Sequence, residues 1–266
     1  MVRRDGDVLH VIFVGTCRFR IDTGKHHIMI CDIAETAQQS DLIHLLNDHV
    51  APRLLAHEGL LILHGSVVDC DGVIALFLGE TGAGKSTLAL SLDRAGYRLL
   101  GDDAVIVEQA GASGFMGEPV YPSLRLFPES ISALIGSGTA TAPMAGYSEK
   151  RLVRLDDLDA RSGVRMPIAA LFFLDDGDAA HPDAPVAVDF NPTKACISLV
   201  EQSFAMDPFD PVATADRLAA CAAVALAIPA YTLSYPRDFD RLPEVHELIM
   251  DKLRTSPIKP AQVLAQ

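Results

Sequence analysis

The chain has 266 residues, 49% of them hydrophobic, and carries 35 acidic against 22 basic residues. Its formal net charge of -13 argues against general nucleic-acid binding, because neutralising nucleic-acid phosphates requires clustered Lys and Arg. Apolar runs fall short of the roughly 18 residues that span a bilayer, and no signal peptide is recognisable, so we expect a cytoplasmic protein without a membrane partner. Five scattered cysteines without a CxxC pair predict neither a disulfide framework nor a zinc site.

The first predicted unit is a small α+β N-terminal lobe over residues 1–58. Short apolar runs at residues 8–14 and 27–31 indicate β-strands. From Gln38 to His57 apolar residues recur at helical spacing, which predicts one amphipathic helix bent near Pro52.

The most regular pattern precedes a glycine-rich loop. Residues 66–70 and 73–78 are apolar runs separated by Asp71-Gly72, a dipeptide that favours the two-residue turn of a β-hairpin. We predict two antiparallel strands, the second of which leads directly into the loop. A helix-forming run follows the loop and is expected to end at Gly96.

The rest of the second predicted unit, residues 59–255, contains weaker signals. A strand at residues 97–100 is expected to end at Gly101-Asp102-Asp103 and to be continued by residues 105–107. Residues 111–165, rich in Gly, Pro and Ser, are interpreted as loops and short elements over the core. Beyond them we predict a strand at 168–174, a polar loop at 175–183, a helix at 212–227, a strand at 231–235, a helix from Pro243 and a tail at 256–266.

The glycine-rich loop matches the phosphate-binding pattern GxxxxGK[ST] and has the preceding strand and following helix that such a loop requires. Backbone N–H groups of such a loop surround a nucleotide phosphate, and the helix N-terminus adds a favourable dipole. Lys85 is predicted to reach the β- and γ-phosphates of ATP, and the Ser86 hydroxyl to bind Mg²⁺. A glycine-rich turn that merely joins strand to helix is the alternative. The predicted binding residues are Gly79, Glu80, Thr81, Gly82, Ala83, Gly84, Lys85, Ser86 and Thr87.

Two adjacent acids, Asp102 and Asp103, follow the next predicted strand. A P-loop kinase needs a carboxylate on its metal and benefits from another that accepts the proton of the acceptor hydroxyl. Two adjacent carboxylates can serve both purposes, whereas the alternative interpretation is a solvated turn. Their closeness to the loop in sequence differs from motor and transporter ATPases, whose metal aspartate usually lies much further from the loop.

Other candidate residues carry weaker signals. His64 precedes the hairpin that feeds the loop and is predicted to lie beside the phosphates, with a structural histidine as the alternative. Arg125, Lys150 and Arg151 are candidates for a second cation on the transferring phosphoryl group, with surface salt bridges as the alternative. We include Arg125 among the predicted catalytic residues. Arg237 could equally hold the C-terminal helix in place.

Over residues 60–107 the chain resembles the catalytic core of HPr kinase/phosphorylase, an enzyme that phosphorylates a serine of a small carrier protein. The resemblance is carried, in the same order, by His64-Gly65-Ser66, Gly79 to Thr87, and Gly101-Asp102-Asp103. It implies an α/β P-loop kinase core of the HPr kinase and phosphoenolpyruvate carboxykinase type, with a mixed sheet and a small β-rich N-terminal lobe.

The resemblance also implies a role for each matching position. Lys85 and Ser86 would hold phosphate and metal, and Asp103 would be the base that takes the serine proton. Asp102 would help to organise the metal site, and His64 would lie against the phosphates.

Two departures from that family bear on the substrate. Its glycine-rich second signature is replaced by residues 123–128, and residues 1–58 take the place of its regulatory N-terminal domain. The whole layout is more similar to stand-alone lasso peptide kinases, which phosphorylate the C-terminal serine of a precursor peptide. We therefore predict a serine kinase for a peptide or small protein, with an HPr-like carrier, a small-molecule acceptor or a non-catalytic nucleotide-binding module as alternatives. Because kinases of this family often form rings, a homo-oligomer is among the expectations.

Overall fold

A computed structural model describes residues 1–111, 114–136, 141–146, 148–153, 161, 163–175 and 182–258. The strands of these residues form sheets of four, nine and three strands. Most of the predicted polar loop at 175–183, residues 259–266 of the predicted tail and parts of 111–165 lie outside the described residues.

The N-terminal sheet is antiparallel, with its strands in chain order: β1 (Val2–Asp5), β2 (Val8–Phe13), β3 (Cys17–Asp22) and β4 (His27–Cys31). Alternate residues of β2 and β3 are buried, as expected for a sheet with one face against a core. Phe19 and Ile21 pack there against Leu45 and Val50 of the following helical stretch. The β-rich character predicted for this region is confirmed.

The predicted helix is confirmed as a continuous helical stretch, formed by α1 (Gln39–His44), the π-helical segment Leu45–Val50 and α2 (Ala51–His57). Its irregularity lies just before Pro52, whose ring lacks an N–H and crowds the carbonyl four residues earlier. The Ala51 N–H donates to the Leu46 carbonyl, which is five residues back, the hydrogen-bond spacing of a π-helix. Such π-helical turns are rare and occur frequently at functional sites.

The central sheet is mixed, in the order β5-β9-β10-β14-β7-β6-β8, with β16 and then β15 beside the C-terminal half of β14. Strand β14 runs parallel to β7 and to β16, and the other pairs are antiparallel. The α/β class with a mixed sheet is thereby confirmed. Its strands are β5 (Leu61–Leu63), β6 (Gly65–Cys70), β7 (Val73–Leu78), β8 (Arg98–Gly101), β9 (Val105–Ala110), β10 (Gly114–Pro119), β14 (Met166–Leu174), β15 (Val186–Asp189) and β16 (Ala230–Ser234).

Helices cover both faces of this sheet, and the small sheet of β11 (Arg125–Leu126), β12 (Thr141–Pro143) and β13 (Arg151–Val153) completes the fold. Phe77 of β7 belongs to a core shared with α3 and α7, and Leu76 to a core shared with α5 and α6. Strand β7 is therefore buried on both faces, as its uninterrupted apolar run suggests. The helices are α3 (Lys85–Arg94), α4 (Pro128–Leu134), α5 (Pro192–Glu201), α6 (Pro211–Ala227) and α7 (Leu242–Thr255).

The predicted hairpin is confirmed, with φ angles of 57° and 91° at Asp71 and Gly72 between β6 and β7. The predicted continuation of β8 through residues 105–107 is wrong. Strand β8 pairs with β6, whereas β9 pairs with β5 and β10. The chain changes direction between these strands, where Asp103 adopts a left-handed φ of 74°.

Among the described residues, the segment after α7 contacts the core. Ser256, the first residue of the predicted tail, is buried and donates to the Ala169 carbonyl at 2.8 Å. Among the residues described, no helix combines the length and the apolar character needed to cross a membrane.

Candidate active site

The glycine-rich loop joins β7 to α3, as predicted. Gly79, Gly82 and Gly84 have φ angles of 142°, 92° and 95°, a region that residues with a Cβ rarely occupy. A Cβ on Gly79 would lie 2.9 Å from the Leu174 carbonyl oxygen. The N-cap residue of α3 is Gly84, which has no side chain to cap the helix, so the first N–H groups of that helix face the loop. This arrangement suits an anion such as a nucleotide phosphate.

Lys85, the first residue of α3, directs its ammonium into the loop. Its Nζ donates to the carbonyls of Gly79 at 2.7 Å and Glu80 at 3.0 Å. Burial lowers the pKa of this ammonium, while Asp102 and Asp103 oppose the shift. The Lys85 ammonium is thus hydrogen-bonded to the loop and lies close enough to the acidic pair to interact with it electrostatically.

Asp102 lies directly behind β8 and is buried. The Ser66 hydroxyl donates to its Oδ1, while its Oδ2 has no hydrogen-bond partner in the part of the chain that the structure describes. Burial, followed by the charge of Asp103, raises the pKa of Asp102 to about 6, and the hydroxyls of Ser66 and Ser86 oppose this shift. A buried carboxylate oxygen without a partner, next to a serine hydroxyl, fits the oxygen ligands of Mg²⁺, which takes few groups from the protein.

Asp103 turns its carboxylate towards a different neighbour. The Arg125 guanidinium donates to its Oδ2 through Nη1. Burial raises the pKa of Asp103, but Arg125, His64 and Lys150 together outweigh burial and hold the pKa below its usual value. Asp103 is therefore ionised at neutral pH and able to accept a proton.

His64 connects β5 to β6 and is fixed at both ends. Its backbone N–H donates to the Gln202 carbonyl at 2.7 Å, and its Nδ1 lies 2.8 Å from the Asp103 carbonyl oxygen. Because a carbonyl oxygen only accepts, Nδ1 carries the hydrogen. Burial, together with the nearby Lys85 charge, lowers the pKa of His64, so the ring is neutral and its Nε2 is an acceptor.

These groups meet in one small cavity of about 50 Å³, whereas Asp102 lies buried beside it. A larger cavity of about 290 Å³, between β1, the end of α2 and the start of α6, contains none of the predicted site residues. The chemistry therefore points to the smaller one. Its lining combines loop residues, both members of the His64–Asp103 pair and three cationic side chains: His64, Gly82, Gly84, Lys85, Ser86, Thr87, Asp103, Arg125, Leu126, Phe127 and Lys150.

The three candidate cations of the 111–165 region differ in their partners. Arg125 is buried between two carboxylates, with Nη1 on Asp103 and Nη2 2.7 Å from Asp48, so the surface salt bridge considered for it is wrong. Arg151 donates to Thr141 at 3.2 Å. Lys150 has its Nζ 5.4 Å from the centre of the Phe127 ring and makes no ion pair with the residues described. Of the two cations that the 111–165 region brings to this cavity, Arg125 is thus paired with carboxylates, whereas Lys150 is paired with none that the structure describes.

Sequence reasoning missed Asp48, which lies in the π-helical segment. Besides Arg125, its carboxylate accepts from the Tyr121 hydroxyl at 3.0 Å and contacts His44. In the sequence, Asp48 resembles any polar residue of an amphipathic helix, because Tyr121 and Arg125 lie 73 residues or more further along the chain. No local signal identifies it.

Arg237 holds the loop rather than the C-terminal helix. Its Nη1 donates to the Ala83 carbonyl at 2.6 Å and its Nη2 to the Asp175 carbonyl at 2.9 Å. Its guanidinium also lies 5.2 Å from the centre of the Tyr235 ring. The loop is thus supported from behind by a side chain more than 150 residues away.

Gly84→Ala is expected to destabilise the protein more than Gly82→Ala. Both positions have a left-handed φ, so both substitutions carry similar backbone strain of about 1 kcal/mol. A Cβ at Gly84 would also lie 2.6 Å from Nη1 of Arg237, whereas one at Gly82 meets nothing within 4 Å. Denaturant unfolding of both variants without nucleotide measures the difference. Equal losses would show that the Arg237 contact does not support the loop.

Comparison with known proteins supports the interpretation of this segment. Residues 55–126 match the family model of the HPr Serine kinase C-terminal domain. This stretch contains His64, the loop, Asp102, Asp103 and Arg125, and ends before Lys150. The resemblance predicted from the residues is confirmed over this stretch.

Individual relatives agree. An HPr kinase/phosphorylase of Caldanaerobacter subterraneus is 38% identical over 100 residues, which are 36% of this chain and 30% of that protein. One of Chlorobium chlorochromatii is 48% identical over 50 residues, 19% of this chain and 15% of that protein. The matched region is thus less than a third of the length of either relative.

Among solved structures, the Hpr(Ser) kinase/phosphatase from Coxiella burnetii is similar over 71% of this chain and 98% of that chain. Its sequence identity is 14% and its TM-score 0.37.

Proposed function

We propose that this chain is an ATP- and Mg²⁺-dependent serine kinase that acts on a peptide or a small protein. The observation that carries the proposal is the common cavity of Lys85 and the ionised Asp103, with the unpartnered oxygen of Asp102 beside Ser86. A non-catalytic nucleotide-binding module would need the loop but not a carboxylate base facing the same space. The match of residues 55–126 to the HPr Serine kinase C-terminal domain supports the same conclusion.

In the proposed reaction the loop N–H groups and Lys85 hold the phosphates of ATP. Asp103 accepts the proton of the acceptor serine hydroxyl while the serine oxygen attacks the γ-phosphorus in line. A new oxygen–phosphorus bond forms, the bond between the γ-phosphorus and the bridging oxygen breaks, and ADP leaves with the electron pair. Ser86 and Asp102 would hold Mg²⁺, which supplies positive charge to the phosphates.

His64 would keep Asp103 in place during this step. Its Nδ1–H binds the Asp103 carbonyl at 2.8 Å, at the residue whose φ is left-handed. Because the His64 ring is neutral, it adds no positive charge beside Lys85, which is proposed to bind the phosphates. A hydrogen bond to the backbone of the base thus fixes its position without neutralising its carboxylate.

Lys150→Met is expected to lower kcat about 100-fold and to leave ATP affinity nearly unchanged, because a cation beside the reacting group acts mainly on the charge of the transition state. Arg151→Met is the matched control, since the neighbouring cation donates to Thr141 and does not line the cavity. Steady-state kinetics of both variants tests the assignment. A similar loss of kcat in the two variants would contradict it.

A second part of the proposal concerns which molecule carries the acceptor serine. We favour a peptide that presents its C-terminal serine, as lasso peptide kinases use, with a serine of an HPr-like carrier protein as the second candidate. The similarity to HPr kinase/phosphorylases supports the carrier. The departures at residues 1–58 and 123–128 favour the peptide.

Mass spectrometry separates these substrates. The protein is incubated with ATP, Mg²⁺ and either peptides ending in serine or an HPr-like carrier, and phosphate addition is measured. Transfer to the peptides alone supports the peptide substrate, and transfer to the carrier alone supports the second candidate. Bound ATP without transfer to any acceptor would favour the binding-module alternative.

A further inference from the structure

The N-terminal helical stretch reaches the active site through two buried carboxylates. Asp48 in its π-helical segment lies 2.7 Å from Nη2 of Arg125. Asp41 in α1 accepts the backbone N–H of Gly146 at 2.6 Å, in the segment that leads to Lys150. The same helical stretch therefore contacts both the segment that brings Arg125 to the cavity and the segment that brings Lys150 to it.

Both carboxylate oxygens of Asp48 have partners. Its Oδ1 receives Arg125 and the Tyr121 hydroxyl, the latter at 3.0 Å, and its Oδ2 contacts Nδ1 of His44. The side chains of Asp48 and Arg125 are 10% and 7% exposed, so solvent screens this pair little. A buried ion pair that is reinforced by the hydrogen bond from Tyr121 holds its members in one geometry.

Because the guanidinium of Arg125 is rigid, the contact with Asp48 also restricts how Arg125 can hold Asp103. A guanidinium is planar, with its donors in a fixed fork, so fixing one nitrogen sets the direction of the others. Nη2 is held by Asp48, and Nη1 donates to Asp103. The guanidinium plane also lies 5.8 Å from the centre of the Tyr121 ring, which restricts its rotation.

We propose that Asp48 is a positioning residue for phosphoryl transfer, which fixes Arg125 so that Arg125 holds the Asp103 carboxylate in the cavity. The proposal rests on the kinase function proposed above. Asp48 lies outside residues 55–126, so the N-terminal lobe supplies a part of the site that the matched segment lacks. It contacts neither the loop nor the residues proposed to hold Mg²⁺, and its removal should leave nucleotide binding unchanged.

A double-mutant cycle tests this proposal. Asp48→Asn is expected to lower kcat about tenfold with an unchanged KM for ATP, and Arg125→Gln to lower kcat further. Because Asp48 acts through Arg125, the double variant should have the kcat of Arg125→Gln alone. Multiplied effects of the two substitutions on kcat would overturn the proposal.

The chain offers a matched control in another buried pair. Asp93 and Arg161 are 2.7 Å apart, with side chains 12% and 10% exposed, and Asp93 does not line the cavity. Asp93→Asn is expected to lower the melting temperature at least as much as Asp48→Asn but to leave kcat unchanged. If kcat falls equally in both variants, the Asp48 effect is only structural and the proposal is wrong.

Tyr121→Phe is a milder variant that serves if Asp48→Asn does not fold. It removes one hydrogen bond to Asp48 and keeps the ring, so we expect kcat to fall about threefold without a change in KM for ATP. An unchanged kcat would overturn the proposal. Absence of transfer by the wild-type protein, by contrast, would overturn the proposed function itself and, with it, this inference.

Discussion

Asp103→Asn is expected to lower kcat by about 1,000-fold while ATP still binds, because an amide cannot take the proton of the acceptor hydroxyl. The substitution preserves shape, and asparagine tolerates the left-handed φ of 74° at this position better than most residues. The asparagine oxygen can still accept from Arg125, and the backbone carbonyl still accepts from His64. The loss should therefore be confined to the chemical step.

Three measurements separate this result from a general defect. Thermal unfolding should show a folded variant, and ATP titration should give a dissociation constant close to that of the wild type. Phosphate transfer measured by mass spectrometry should then be lost. Full transfer by Asp103→Asn would leave a kinase without this base and would remove the proposed mechanism.

The sequence allowed prediction of those parts of the site that depend on neighbouring residues. The loop from Gly79 to Thr87 is specified locally, because its glycines, its lysine and the flanking strand and helix follow one another along the chain. The hairpin turn at Asp71-Gly72 is of the same kind, since two adjacent residues supply both positive φ angles. The predicted helices at 212–227 and from Pro243 were also correct, because each has a proline in its first turn and a long helical run.

Elements that depend on distant pairing were harder to predict. Strand β10, with the sequence Gly-Phe-Met-Gly-Glu-Pro, contains residues that disfavour strands, yet it pairs with β9 along its whole length. Gly117 is needed there because a Cβ would lie 2.9 Å from Cδ1 of Ile74. Helix α5 was missed as well. In β10, tertiary contacts override a weak local preference.

The partners of Arg125 show the same limit within the site. From the sequence, Arg125 was one of several candidate cations. The sequence could not indicate that Arg125 is buried between two carboxylates, one of which lies in the N-terminal lobe. The division of the chain at residue 58 stays a prediction. The contact between Asp48 and Arg125 nevertheless joins the two predicted units at the candidate active site.

Asp102→Asn is expected to abolish Mg²⁺-dependent transfer and, without Mg²⁺, to make the protein more stable at pH 8. In the folded protein, burial raises the pKa of Asp102 from its ordinary value of 3.8 to about 6. Between these values the folded chain binds more protons than the unfolded chain, so the Asp102 contribution to stability falls as pH rises from 3.8 to 6. Above pH 6 the ionised carboxylate costs about 1–3 kcal/mol, which an uncharged amide avoids.

Denaturant unfolding of wild type and Asp102→Asn at pH 8 and at pH 4.5, without divalent ions, measures that difference. The variant should be the more stable at pH 8, and most of its advantage should disappear at pH 4.5, where the wild-type carboxyl is protonated in the folded state. Serine hydroxyls at positions 66 and 86 remain to bind the amide, so the variant has partners for its new N–H groups. A variant less stable than wild type at pH 8 would contradict the view that Asp102 is kept at a cost in stability for its metal-binding oxygen. Such a cost is reasonable at a position whose oxygen binds a ligand during function, and this links Oδ2, which has no partner among the described residues, to the proposed Mg²⁺ site.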